Sequence, residues 1–401
     1  MTIESTLVIL FSVATAAAIA ARWAKIPYTA VLVVAGIILG ALQLVNPPRL
    51  THDLLFGIIL PGLLFEAAFN IDVGIFLKNK MAITSLAIPG VVVAIVLAGA
   101  GTAWAIAPLS THPALTLKQG LVFGALVAAT DPLAVVAVFR ELRVPARLAT
   151  LVEGESLLND GTSIVLFSLL LAAVTGQSTG LGHLALQFIL IVGGGAFLGF
   201  AAGTLASRLI AKIDDAVIEI TITVITAYGT FALADQAGVS GVIATVVAGM
   251  YCGKYAWEEE MSRKTRVALS AFWDYIAFAL NSIVFLLIGF EVSTSAVISE
   301  WAEILVAFVV VVVARAAVVF GVGALLARTS ERLPTSWLSV MTWGGLRGAL
   351  SMVLALSLPY DFPNRDLLIT LTFGVVVLSI LVEGLTMQRL LRAVGLAKAE
   401  T

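Results

Sequence analysis

Residues 129–134 read ATDPLA, and they interrupt an apolar run that otherwise extends from about 118 to 139. Pro132 has no N–H and its ring clashes with the preceding turn, so carbonyls near Ala128 and Ala129 lose their helical partners. Asp131 stands where an N-cap stands, with proline at the first helical position after it. The stretch therefore reads as two half-helices around an unwound segment. Asp131 caps the second half and balances its positive dipole end, and the freed carbonyls, that of Thr130 included, become oxygen ligands. A second interruption, WGGLRGA at 343–349, sets Arg347 among Gly344, Gly345 and Gly348. An unpaired charge at membrane depth costs at least ~2.5–3.5 kcal/mol on insertion scales, so Arg347 needs an acidic partner.

The surroundings explain why these breaks matter. The chain has 401 residues, 60% hydrophobic and only 12% charged, with mean hydropathy +1.07. Soluble domains carry about 25% charged residues, so this composition describes an all-α polytopic membrane protein. A net charge of −2 without a basic stripe excludes a nucleic-acid binder. The single cysteine, Cys252, excludes internal disulfides and Cys-based metal clusters, and no cofactor is expected. The opening MTIESTLVIL lacks a basic n-region and reads as the first span rather than a cleaved signal.

Thirteen spans are expected, at about 5–22, 28–46, 53–70, 81–107, 118–139, 147–174, 184–207, 216–234, 238–253, 268–290, 302–327, 335–358 and 366–388. Loops are short, and no soluble C-terminal domain is expected after Arg392. Of the 23 Lys and Arg, Arg49, Lys118 and Arg365 fall on one side and Arg315 and Arg347 within spans; the other 18 follow odd-numbered spans. The positive-inside rule then puts the N-terminus outside and the C-terminus in the cytoplasm of a cell-membrane protein.

Thirteen divides as six, one and six, with inverted repeats over about 5–174 and 216–388 joined by a linker span at about 184–207. Interrupted segments at matching positions of two such halves mark transporter binding sites. The two breaks, in spans 5 and 12, are each fifth in their half.

Span 6 opens with EGESLLND at 153–160. At about 100° per residue from Glu153, Glu155 lies near 200°, Asn159 near 240°, Ser156 near 300° and Asp160 near 340°. Ser156 and Asp160 form one i, i+4 pair, and Glu155 and Asn159 a second beside it. Asp160, a carboxylate at depth without a neighbouring cation in sequence, holds either a proton or a small cation but not both, the minimal chemistry of a proton-coupled exchanger. Neutral oxygens from Asn159, Ser156 and Thr130 complete an all-oxygen site for a hard monovalent cation. Glu153 reads as the wet start of the helix, solvated or paired with Arg147 or Arg143. Glu66 follows a Pro61–Gly62 break on span 3 and approaches the core site. Glu383 pairs with Arg315 or with helix ends, Asp274 is interfacial, and Asn281 supports packing.

These stretches, ATDPLAV, EGESLLNDGTSIVLF, FALNSIVFLLIGFE, WGGLRGALSMVLALSLP and LLFEAAFNID, together resemble the monovalent cation:proton antiporter-1 family, most closely its bacterial and archaeal NhaP-type sodium/proton exchangers. The resemblance covers nearly the whole chain. It implies a homodimer and a core with two crossed, broken helices that moves against a dimerisation domain. It makes Asp160 the ion- and proton-carrying carboxylate, with Thr130 and Ser156 as co-ligands and Glu66 near the ion. Asp131 becomes the acidic cap at the helix crossing, and Glu155 with Arg347 the core ion pair. The Asn159–Asp160 pattern implies one cation for one proton.

Rival readings fare worse. GVSG at 238–241 matches the GxSG string of rhomboid-type intramembrane serine proteases, but His52, His112 and His183 fall in loops or at span ends and supply no base. There is no HExxH either. A passive channel does not need a carboxylate that must shed a proton. The reading is a non-enzymatic antiporter whose partners are Na⁺ or Li⁺, H⁺ and membrane lipid, with K⁺/H⁺ exchange as the alternative.

Overall fold

The computed structural model describes residues 3–24, 26–42, 51–109, 114–176, 180–255, 262–291 and 294–397, and every regular element among them is helical. Each of the thirteen expected spans is met by a helix. Among the described residues, seven helices are long and apolar enough to cross a bilayer by themselves: Lys80–Ile106, Ala146–Val174, Gly182–Ile210, Ala216–Gln236, Lys264–Glu291, Trp301–Leu326 and Arg365–Ala393. Large apolar side chains such as Trp23, Trp104 and Phe197 are exposed on the outer helix faces, as a lipid solvent requires. The expected end of span 2, from 43 on, lies outside the described residues.

Span 5 is broken where the sequence places the break. Leu117–Leu126 starts with a capping box, in which Gln119 N donates to Thr116 Oγ1 at 3.3 Å and Thr116 N to Gln119 Oε1 at 2.8 Å. The helix resumes as Leu133–Leu142. Span 12 is broken likewise, into Thr335–Trp343 and Ala349–Leu356. The expected Pro61–Gly62 break of span 3 is different. Pro61 lies inside a helix that runs unbroken from His52 to Asn70, and the turn before it widens into a π turn at Leu55–Ile59. Spans 4 and 13 contain π turns at Leu86–Gly90 and Ser379–Gly384.

Two compact units compose the fold. The first is Met1–Thr51, Asn79–Asn159 and Ser282–Thr401, so it holds spans 1, 2, 4, 5, 11, 12 and 13 with the start of span 6 and the end of span 10. Spans 4 and 5 touch backbone to backbone: a Cβ on Gly99 would overlap the carbonyl of Gly120, and the converse holds. Glu331, buried in the connection before span 12, accepts from Met81 N at 3.2 Å and Ala82 N at 2.7 Å, closing two open donors at the start of span 4. Arg147 ties the same end together, donating to Asn79 Oδ1 at 2.7 Å and lying over the Trp337 ring.

The second unit is His52–Lys78 and Asp160–Asn281. Its core gathers Phe65, Phe69, Ala227, Leu269 and Trp273 around Cys252, whose thiol faces the Gly203 carbonyl at 3.8 Å. Trp273 buries its ring fully and satisfies its Nε1–H on Thr223 Oγ1 at 3.1 Å.

Candidate functional site

The site grows out of the break in span 5. Residues 127–132 leave the helix, and three of the stranded carbonyls take up side-chain donors. Ala128 O accepts from Asn159 Nδ2 at 3.1 Å and from Arg347 Nη1 at 3.4 Å. Ala129 O accepts from the same Arg347 nitrogen at 3.4 Å. Thr130 O accepts from the Ser156 hydroxyl, and Thr130 Oγ1 accepts from Asn159 Nδ2 at 3.1 Å. The polar face of span 6 is thus turned onto the unwound backbone, as its helical spacing requires, and Thr130, Ser156 and Asn159 are all buried.

Asp131 stands one residue before Pro132, the N-cap of Leu133–Leu142. Its Oδ1 accepts from Leu133 N at 3.0 Å, at the start of the second half-helix of span 5. Its own N–H donates to Leu346 O at 2.8 Å, which joins the two breaks backbone to backbone. Gly348, the N-cap of Ala349–Leu356, lies so close that a Cβ there would sit 2.5 Å from Asp131 Oδ2. One carboxylate therefore faces the positive ends of two half-helices.

The core ion pair differs from the expected one. Glu155 is held by Arg315 of span 11 and not by Arg347: two parallel bonds of 2.8 Å join Nη1 and Nη2 to the two carboxylate oxygens. This is the fork geometry that favours arginine over lysine. Arg315 Nη2 also donates to Met341 O at 3.2 Å, and Asn159 Nδ2 lies 3.3 Å from Glu155 Oε1. Arg347 has another task. Its backbone is not helical, and its guanidinium lies on the Ala128 and Ala129 carbonyls, just beyond the C-terminal end of the first half of span 5 and so near the negative end of that dipole. Among the described residues Glu383 makes no direct ion pair with Arg315, though it lies within electrostatic reach of it. The signal that points to Arg315 in the sequence is its depth, a lone cation in the middle of TM segment 302–327, which requires a buried carboxylate.

Other candidates stand as follows. Asp160 follows Asn159 on the continuous helix Ala146–Val174 and is half-buried. Glu66, in the second unit, is buried and accepts from Asn70 Nδ2 at 2.8 Å. Glu153 is half-buried, with Arg140 as its electrostatic neighbour rather than Arg147, which is engaged elsewhere. Asp274 is exposed, near Ser270. Ser240 of the GVSG string caps its helix, accepting from Ile243 N at 3.2 Å, which is a structural use of that serine.

Residues 8–393 match the family described as sodium/hydrogen exchanger, transmembrane. The chain belongs to that family. It is 39% identical over 389 residues to the Na⁺/H⁺ antiporter ApNhaP of Aphanothece halophytica, covering 96% of this chain and 73% of that protein. It is 38% identical to the low-affinity Na⁺/H⁺ antiporter NhaS1 of Synechocystis sp., covering 93% and 70%. Its fold is similar to that of the sodium proton antiporter MjNhaP1 from Methanocaldococcus jannaschii at pH 8, with TM-score 0.78 over 98% of each chain at 20% identity.

Proposed function

We propose that this protein is a secondary antiporter that exchanges Na⁺ or Li⁺ for H⁺, one for one, by alternating access around Asp160. The observation that carries the reading is the convergence of Ser156 and Asn159 on the carbonyls and hydroxyl of the span 5 break, one turn or less from Asp160 along span 6. Asp160 holds either the proton or the cation; Thr130 and Ser156 supply oxygens, and Glu66 lies near the ion path. Asn159 stands where a second carboxylate would double the exchangeable charge, so a single charge moves each way. Asp131 and Arg347 balance the half-helix ends so that no net charge is stranded when the cargo changes.

The proposal extends to architecture and setting. The two breaks, each fifth of six, support inverted repeats over about 5–174 and 216–388 about a linker span. The skew of Lys and Arg supports an N-terminus outside and a C-terminus in the cytoplasm of a cell membrane, and the family resemblance supports a homodimer. The test is proton movement in proteoliposomes after additions of Na⁺, Li⁺ and K⁺, with Asp160→Asn as the comparison. Na⁺ and Li⁺ responses that vanish in the mutant are expected. Full exchange by the mutant overturns the mechanism, and a response to K⁺ alone overturns the cargo.

A further inference from the structure

Span 13 widens at Ser379–Gly384 into a π turn, a geometry that recurs where helices carry function. Two of its side chains, Ser379 and Glu383, are almost fully buried and line a small cavity with Arg315 of span 11 and Arg347 of span 12. The other walls are mostly apolar, from Phe308, Val311 and Val375. The cavity leaves about 10 Å³ for the centre of a water molecule, which is room for one.

The polar groups around it are incompletely used. Arg315 commits both terminal nitrogens to Glu155 and Met341, and its Nε–H meets no protein acceptor. Arg347 commits Nη1 to Ala128 and Ala129, and its Nε–H also meets none. Glu383 lies within electrostatic reach of both guanidiniums without a direct ion pair to either. Ser379 Oγ accepts from Arg347 N at 2.7 Å and keeps its own hydrogen to donate. A buried N–H without an acceptor carries its whole desolvation penalty, and two such donors on arginines that line one water-sized space with a carboxylate have a common solution.

We infer that one water molecule is built into this cavity, accepting from Arg315 Nε and Arg347 Nε and donating to Glu383, which makes Glu383 the counter-ion of Arg347. The water then has three partners, the usual number for a buried one. A halide fits poorly, because Glu155 and Glu383 already balance the two guanidiniums. Glu383 is in consequence a positioning residue: it neutralises the arginine that lies on the span 5 carbonyls.

Three measurements test this. A density map that shows ordered water should place one peak within hydrogen-bond distance of both Nε atoms and Glu383; a dry cavity overturns the proposal. Thermal midpoints in detergent are compared for Glu383→Gln, Arg347→Gln and the double variant. Each single change should lower the midpoint by stranding one charge, and the double should recover most of the loss; additive or absent losses overturn the counter-ion role. The third arm rests on the antiport reading. Glu383→Gln should raise the apparent KM for Na⁺ severalfold at alkaline pH with the maximal rate nearly kept, and Glu383→Asp should restore it; an unchanged KM overturns the positioning role. Wild-type protein that exchanges no Na⁺ refutes the antiport reading alone, and the first two measurements then decide the inference.

Discussion

Replacing either partner of the Glu155–Arg315 pair should cost far more than replacing both. The pair consists of two charge-assisted bonds of 2.8 Å between side chains that are 2% and 8% exposed. Arg315→Gln leaves a carboxylate in the interior, and Glu155→Gln leaves a guanidinium. Stranding one member of a buried pair costs ~3–5 kcal/mol, a fall of the thermal midpoint on the order of 10 °C. The double variant places two neutral amides side by side and loses mainly the Arg315 bond to Met341 O, so it should recover much of that fall. Arg315→Gln should hurt slightly less than Glu155→Gln, because Asn159 still donates toward Glu155. The assay is tryptophan fluorescence of the detergent-purified protein during heating, for the four members of the cycle. With each single loss at ~3–5 kcal/mol and the double no worse than either single, a coupling of at least ~3 kcal/mol between residues 155 and 315 is expected. Additive losses refute the pairing, as does an equal or larger coupling between Glu155→Gln and Arg347→Gln.

Further outcomes follow from the same geometry. Collapsing the membrane potential should leave Na⁺/H⁺ exchange in proteoliposomes almost unchanged; strong acceleration or inhibition rules out one-for-one exchange. Gly348→Ala forces a Cβ to within 2.5 Å of Asp131 Oδ2, so the two breaks must part. Stability should fall by ~1–3 kcal/mol, and exchange should fall with it. Glu331→Ala reopens the Met81 and Ala82 donors and should cost ~1–3 kcal/mol, read as a lowered midpoint.

Much of this was legible from residue chemistry. Proline removes a donor wherever it stands, so the unwound carbonyls and the cap by Asp131 follow from ATDPLA. Helical spacing fixes which side chains share a face, so Ser156 and Asn159 had to turn toward the same partner. Pairing between spans is another matter. Glu155 has two buried arginines to choose from, Arg315 and Arg347, and spacing along one helix says nothing about which neighbour lies opposite. The choice falls to packing: a side chain on regular helix reaches across squarely, whereas Arg347 leaves an unwound segment and meets carbonyls first. Glu331 was invisible for a similar reason, since an acidic residue in a polar connection looks like solvated surface until a helix end is found beneath it. A break at Pro61 is not found because the helix widens into a π turn just before the proline and runs on through it, which residue types alone do not show.

Cys252, packed inside the second unit at 2% exposure, gives the molecule a practical property. A charged maleimide in water cannot reach its sulfur while the protein is folded, so the native chain is its own silent background for labelling. Single cysteines placed in each connection would report, by which face of a sealed vesicle reacts, whether the basic connections all lie on one side.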